Sequence, residues 1–365
     1  MKGYWIWIAL FCAAQGILTV IQYFLRKKEK KTRWRVLVIV FKALLAIGCA
    51  ALVMAGPVFL RPVQVPLVAL YAVLLPDASA DALYSIVCKL RKKERRFVPF
   101  KVLAIVLGVL FFVYGTINMQ VVTPEYHTFT SEKLQSKHKV VFVSDLHVGS
   151  SQRFATTKKV IAAIGAEKPD CVILGGDITD DYTTKAEMKQ TYRLFGAIGV
   201  PIYYIDGNHE VVQHAEYIKG GLPYSYEELR QAIEESGIVF LQDEFVTLDA
   251  DLTLLGREDA ASDARKDAAA LTNPAPQSFL LTADHQPMAK DAAAVNADLL
   301  LCGHTHAGQL FPLKLLYSVI GKVYGEYSLD NGGKMLVSAG ASGWRAPFRT
   351  DAHCHYEVVT LAPAQ

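Results

Sequence analysis

An uncharged run of 21 residues, Tyr4 to Phe24 (YWIWIALFCAAQGILTVIQYF), opens the chain. It matches the roughly 20 apolar residues that a helix needs to cross a bilayer, and Trp5, Trp7 and Tyr23 lie near its ends, where an interfacial aromatic belt falls. Val36 to Met54 is a second such run, interrupted only by Lys42. A third extends from Val63 toward Cys88, broken by Pro66 and Pro76 and followed by Asp77 and Asp81. A fourth has an uncharged core from Val102 to Tyr114 and lengthens to Phe97–Met119 if Lys101 snorkels. The expected architecture is therefore an N-terminal α-helical transmembrane bundle of four spans over residues 1–119.

Charge is segregated along the chain. Residues 1–117 hold 17 Lys and Arg against 4 Asp and Glu, whereas residues 118–365 hold 21 against 31. A net charge of +3 thus conceals a basic half of +13 and an acidic half of −10. The cations concentrate at Arg26–Arg35, between spans one and two, and at Lys89–Arg96, between spans three and four; the loop between two and three offers only Arg61. By the positive-inside rule both basic loops are cytoplasmic, so a multi-pass plasma-membrane protein with an extracytoplasmic C-terminal domain is expected. A re-entrant third segment would reverse that placement and face the domain to the cytoplasm. A cleaved signal peptide at Met1–Ala14 would strand the Arg26–Arg35 cluster outside. Lipid headgroups, not nucleic acid, are the expected partners of the basic loops. The six cysteines show no zinc or redox spacing.

Residues 120–137 are expected to be a linker and 138–365 a catalytic domain of α/β class. Short apolar runs at Val140–Val143, Cys171–Leu174, Ile202–Ile205, Val239–Leu241, Phe279–Thr282, Leu299–Cys302 and Met335–Val337 predict buried strands. Helical patterns at Ala155–Glu167, Lys185–Ile198 and Tyr226–Ser236 fall between them. The residues just after the strands carry the chemistry: Ser144-Asp145-Leu146-His147, Gly176-Asp177, Asp206-Gly207-Asn208-His209-Glu210, Asp284-His285 and Gly303-His304-Thr305-His306. Five of the ten histidines stand there, and in layered α/β sheets such strand ends converge on one crevice. Carboxylates and imidazoles with one amide and no thiolate suit divalent Mn, Fe or Zn. So many donors exceed the needs of one ion, and two ions roughly 3.5–4 Å apart would use them to activate water for attack at phosphorus.

In this order the five motifs resemble the signature of the calcineurin-like metallophosphoesterases, over about residues 138–360. The resemblance implies an αββα sandwich of two facing mixed sheets with a dinuclear centre. It puts Asp145, His147 and His306 on one ion, Asn208, His285 and His304 on the other, and Asp177 between both. His209 matches the histidine that contacts the phosphate and helps protonate the leaving oxygen. The Ser/Thr protein phosphatases of the superfamily carry Asp-Arg-Gly after the second motif, where this chain has Asp180-Asp181-Tyr182. The sequence looks closer to bacterial membrane-attached members with a Gly-Trp-x-x-Pro-x-Arg-like segment, here Gly343–Arg349. In that segment Arg345 and Arg349 are candidate contacts for a phosphate or acidic headgroup.

The function expected is hydrolysis of a phosphoester, a phosphodiester or pyrophosphate, in a substrate at the bilayer such as a phospholipid or a glycolipid of the UDP-diacylglucosamine type. Soluble phosphodiesters or monoesters, and a non-catalytic membrane sensor built on the same domain, are the alternatives. A transporter is disfavoured, because Lys42 and Lys101 are the charges that the spans offer. Asp180, Asp181 and Glu210 are candidates to orient imidazoles or to cap helices. His214, His353 and His355 are expected at the surface or at caps, and residues 257–267 as a mobile rim loop.

Overall fold

A computed structural model describes residues 32–55, 61–92, 98–212, 222–319 and 321–364. The chain divides into two compact units, Met1–Ile117 and Asn118–Gln365. The first expected span, Tyr4–Phe24, and His214 lie outside the described residues.

Among the described residues of the first unit three helices follow one another, α1 (Thr32–Ala55), α2 (Arg61–Leu90) and α3 (Val98–Asn118). Two of them, over Val36–Val53 and Leu67–Leu90, are long and apolar enough to cross a membrane, and Val102–Asn118 is a shorter apolar stretch. The prolines do not divide the third predicted segment: α2 is one helix of 30 residues, and Asp77 and Asp81 lie inside it rather than beyond it. There they meet Lys42 of α1, whose Nζ is 2.7 Å from Asp77 Oδ2 and 2.6 Å from Asp81 Oδ2, all three buried. Burying an ion without a partner costs several kcal/mol, so one cation on α1 and two carboxylates one turn apart on α2 join the helices. This corrects the expectation that lysines are the only charges within the spans.

The second unit begins with a strand where a linker was expected. Residues Val122–Ser131 form β1, ten residues paired in parallel with β12 (Cys354–Pro363). The remaining strands of the first sheet are β2 (His138–Val143), β3 (Cys171–Gly175), β4 (Ile202–Ile205) and β5 (Val239–Phe240). Their order is β1-β12-β2-β3-β4-β5, parallel except for the β12–β2 pair. The second sheet contains β6 (Glu244–Asp249), β7 (Leu252–Gly256), β8 (Phe279–Ala283), β9 (Leu299–Cys302), β10 (Gly325–Ser328) and β11 (Lys334–Val337). It runs β10-β11-β9-β8-β7-β6, with antiparallel pairs at both edges.

Alternation along the strands explains the layering. Phe142, Ile173, Ile205, Leu281, Leu301 and Val359 point between the sheets. Their neighbours Val141, Val172, Leu174 and Tyr204 pack outward on the helices Phe154–Ala166, Lys185–Gly196 and Tyr226–Glu235. Leu280, Leu300, Met335 and Val337 form an outer layer on the second sheet with Ala292 of the helix Ala289–Ala294. Each central strand is thus covered on both faces, which is why these strands read as unbroken apolar runs. The result is two mixed sheets face to face between helical layers.

Candidate metal centre

The strand ends carry the five motifs to one place by backbone hydrogen bonds between the loops. Asp145 N–H donates to Gly176 C=O and His147 N–H to Asp177 C=O, both at 3.0 Å, and Gly303 N–H donates to His285 C=O at 2.9 Å. Asp145 takes His304 N–H on its carboxylate at 3.1 Å, and Asp177 Oδ1 takes His209 N–H at 2.9 Å. Glu210 lies beneath them and accepts the N–H groups of Asp177, Thr179 and Gly207 at 2.9–3.0 Å. It orients loops, not the imidazoles anticipated for it. At Gly303 a Cβ would fall 2.2 Å from Asp145 Oδ2, and at Gly207 one would fall 2.3 Å from Asp177 Oδ1. Only glycine lets the backbone come so near the carboxylates.

Two groups of donors result. Asp145, His147 and His306 form one, and Asp177, His285 and His304 the other, each with ligand atoms within 4.8 Å of one another. Asp177 Oδ2 is 3.2 Å from His285 Nε2 and 3.6 Å from His147 Nε2, so it lies between the groups. Asn208 follows Gly207 directly, and its Oδ1 is buried without a hydrogen-bond partner.

These donors fit divalent ions, and the ring nitrogens show why. His285 Nδ1 faces Gly175 C=O at 2.9 Å, His306 Nδ1 faces Ser342 C=O at 3.3 Å and His147 Nδ1 faces Asp180 Oδ2 at 3.3 Å. With Nδ1 of His285 and of His306 carrying the proton toward a carbonyl, these two rings turn an Nε2 lone pair inward, as metal-ligating histidines do. The Nε2 atoms of His147 and His306 are 3.3 Å apart, near enough for one cation to be held by both. Asp145, His147, Asp177, His304 and His306 all have φ between 41° and 70°. Non-glycine residues rarely adopt this left-handed backbone, and five together mark a site where structure is held against local preference.

The electrostatics of the donors are mixed: burial acts downward on His285, yet Asp177 and then Asp145 hold it well above the ordinary imidazole value. Burial works to raise the carboxyls of Asp145 and Asp177, but the surrounding imidazoles outweigh it and hold both below the usual range. Burial pushes His306 down to about 3, which keeps its imidazole a neutral donor. For His209 burial acts downward, yet Asp177 first and then Asp181 and Asp180 hold it up at about 9. Its Nδ1 is 3.9 Å from Asp181 Oδ2. Asp180 and Asp181 therefore face imidazoles from behind.

The tail segment divides sharply. Arg349 is fully buried and gives its guanidinium to four carbonyls, of Ala339 (2.6 Å), Ser342 (2.7 Å), Ala352 (2.7 Å) and His306 (2.8 Å). It is a positioning residue that braces the loop of His306 and has no donor directed at a substrate, which corrects the contact expected of it. Arg345 instead stacks over Trp344, its guanidinium carbon 4.0 Å from the ring centroid, and that indole lies 5.5 Å from the His209 ring. Gln309 fixes the segment by bonding Trp344, Ala346 and Phe348. Trp344 went unassigned in the sequence; its place within Gly343–Arg349 was the available signal. Residues 257–267 are not a free rim either: Arg257 is buried on Asp243, and Arg265 binds Asp284 and Asp291.

A family model described as calcineurin-like phosphoesterase matches residues 138–308. An uncharacterized metallophosphoesterase of Campylobacter jejuni is 31% identical over 278 residues, covering 72% of this chain and 69% of that protein. One of Helicobacter pylori is 28% identical, covering 64% and 62%. A Danio rerio transmembrane protein with metallophosphoesterase domain is 24% identical, covering 72% and 63%. The chain thus spans roughly two thirds of the length of these relatives. Among solved structures, a dimetal phosphatase from Danio rerio is similar at 11% identity and a TM-score of 0.36, over 56% of this chain and 87% of that one. The chain belongs to the calcineurin-like metallophosphoesterases, a family of metal-dependent phosphoester hydrolases.

Proposed function

We propose that this protein is a membrane-anchored phosphoesterase that cleaves a phosphodiester or pyrophosphate in a substrate at the bilayer, such as a phospholipid or a nucleotide-linked glycolipid. The observation that carries it is the pair of donor groups joined by Asp177. Asp145, His147 and His306 would hold one divalent ion and Asn208, His285 and His304 the other, Mn, Fe or Zn being compatible with the set. When bound, two such ions supply Lewis acidity and a water activated for attack at phosphorus. His209, flanked by Asp181 and the Trp344 indole, is poised to hold a proton for the leaving oxygen. Arg345 is the cation placed to take a phosphate or acidic headgroup, its plane fixed by Trp344.

Membrane attachment is supported by the two long apolar helices and by the outward faces of α1 and α3. Phe41, Leu44, Val102, Leu103, Ile105 and Leu110 are all exposed in the described structure, and lipid is the solvent that suits such faces. With four spans, the number that the apolar runs suggest, the basic loops put the active site outside the cytoplasm by the positive-inside rule. The test is Mn²⁺-dependent hydrolysis of an aryl phosphodiester by the full chain in detergent, compared with a liposome-embedded phospholipid. Full activity retained by Asp177→Asn or His209→Ala would sink the mechanism. Hydrolysis of the soluble ester with none of the lipid would sink the substrate class.

A further inference from the structure

A second cluster of metal-type donors lies outside the catalytic motifs, on β1 and β12. The parallel register pairs Glu125 with Glu357 and Thr123 with His355. Residues two apart share a face of a strand, so Glu125, His127, His355 and Glu357 stand together on the face that farther along carries Phe129, Val359 and Leu361 into the inter-sheet core. His355 and Glu357 are 2% and 1% exposed, contrary to the surface position expected of His355.

The contacts are short and converge. Single donor atoms of Glu125, His355 and Glu357 all lie within 4.8 Å of one another. His355 Nδ1 is 3.2 Å from Glu125 Oε2, and its Nε2 is 2.8 Å from Glu357 Oε1. His127 Nε2 approaches Glu357 Oε2 at 3.0 Å and Glu125 Oε1 at 4.0 Å. The other neighbours are Tyr324, whose hydroxyl donates to Glu125, and Glu326, 3.1 Å from His127 Nδ1. One detail sets this apart from a plain ion-pair network. His355 Nε2 also faces the backbone N–H of Ala339 at 3.2 Å, so the same nitrogen meets a donor and a carboxylate oxygen. No single protonation state of the ring satisfies both.

We propose that Glu125, His355 and Glu357, with His127 orienting Glu357, form a third metal site, selective for a borderline divalent ion of the Zn²⁺ type. Two carboxylates balance the ion's charge, and the His355 imidazole supplies a nitrogen ligand of the kind Zn²⁺ favours. Unlike the dinuclear centre, the site has no glycine-rich approach and no flanking Trp-Arg pair, and its role is structural. It ties β1 to β12 and, through His355 N–H on Gly340 C=O (3.1 Å), to the turn that packs on Asp145, since a Cβ at Gly340 would fall 2.6 Å from Asp145 Cβ.

The full chain, purified in detergent, stripped with chelator, equilibrated with Zn²⁺ and passed over a desalting column, is assayed for bound zinc by mass spectrometry. Three ions per chain are expected, falling to two in Glu125→Gln and in His127→Asn, whose side chains reach the rim and tolerate substitution. Zn²⁺ is also expected to raise the melting temperature of the Asp145→Asn variant by more than that of Asp145→Asn combined with Glu125→Gln. Two ions in the wild type, or three retained in both rim variants, overturns the proposal. Three ions retained in Asp145→Asn, with the Glu125-dependent ion still lost in Glu125→Gln, would count against the dinuclear reading alone, so the two failures are distinguishable.

Discussion

A single side chain can look like a ligand contact in sequence and prove to be scaffolding, and Arg349 is such a residue. An arginine near the end of a motif-bearing segment suggests anion binding, but its four hydrogen bonds to carbonyls consume the guanidinium fork. Arg349→Ala orphans buried acceptors at about 1–3 kcal/mol each, so a loss on the order of 3 kcal/mol or more in unfolding free energy is expected, together with weaker metal retention through His306. Arg349→Lys does not restore it, because one ammonium cannot reach acceptors spread around a plane. A lysine variant with wild-type melting temperature and metal content would refute this.

Asp206 permits a prediction with a definite sign. Burial raises its carboxyl from 3.8 to about 7, against the hydroxyl donors Tyr226 and Tyr204. The native state therefore holds a proton that the unfolded chain has released between about pH 4 and pH 7. Stability from this group is present at the acid end of that window and is lost as pH rises through 7. Asp206→Asn should flatten the fall, so the difference in melting temperature between pH 4.5 and pH 7.5 shrinks relative to wild type. An unchanged difference would show that the carboxyl is ionised throughout.

At the scale of elements, the central strands were legible because burial on both faces writes them as apolar runs; Ile202–Ile205 and Leu299–Cys302 have the bounds that the sequence suggests. The motifs were legible because metal-type donors follow those strands without a packing reason. What the sequence hid were three edge strands, β1, β6 and β10, and the interior strands β7 and β12 that pair with edges. In β1, VTPEYHTFTS alternates polar and apolar with a proline near its start, as an edge strand permits, and its partner β12 lies more than 200 residues away. Nothing local announces such a pairing. The loop 257–267 was equally opaque, since a polar, alanine-rich composition does not reveal that Arg265 binds Asp284 at 2.6 Å and Asp291 at 2.8 Å. Asp284 is itself buried, and burial raises its carboxyl to about 6 despite Arg265. Arg265→Ala strands that carboxylate, at about 3–5 kcal/mol by analogy with other broken buried pairs. Adding Asp284→Asn should recover part of the loss. A double mutant no more stable than Arg265→Ala would mean that the arginine holds the loop through Asp291 and the backbone instead.

At the scale of the whole molecule, the basic first third and the acidic remainder make separate demands. Cationic loops beside apolar helices favour the cytoplasmic leaflet. A domain of net charge −10 over residues 118–365 repels anionic headgroups, so under the proposed function capture of a phosphoester falls to the metal centre and Arg345 rather than to a broad basic surface. Under the proposed even number of crossings that domain faces outward. Thr130, exposed on β1, reports the side. Cys171, Cys302 and Cys354 in the same unit are buried, so a membrane-impermeant maleimide applied to intact cells should label Thr130→Cys strongly and the parent chain weakly. Labelling of Thr130→Cys only after the cells are opened would place the catalytic domain in the cytoplasm, make the crossing number odd and remove extracytoplasmic lipid intermediates from the candidate substrates.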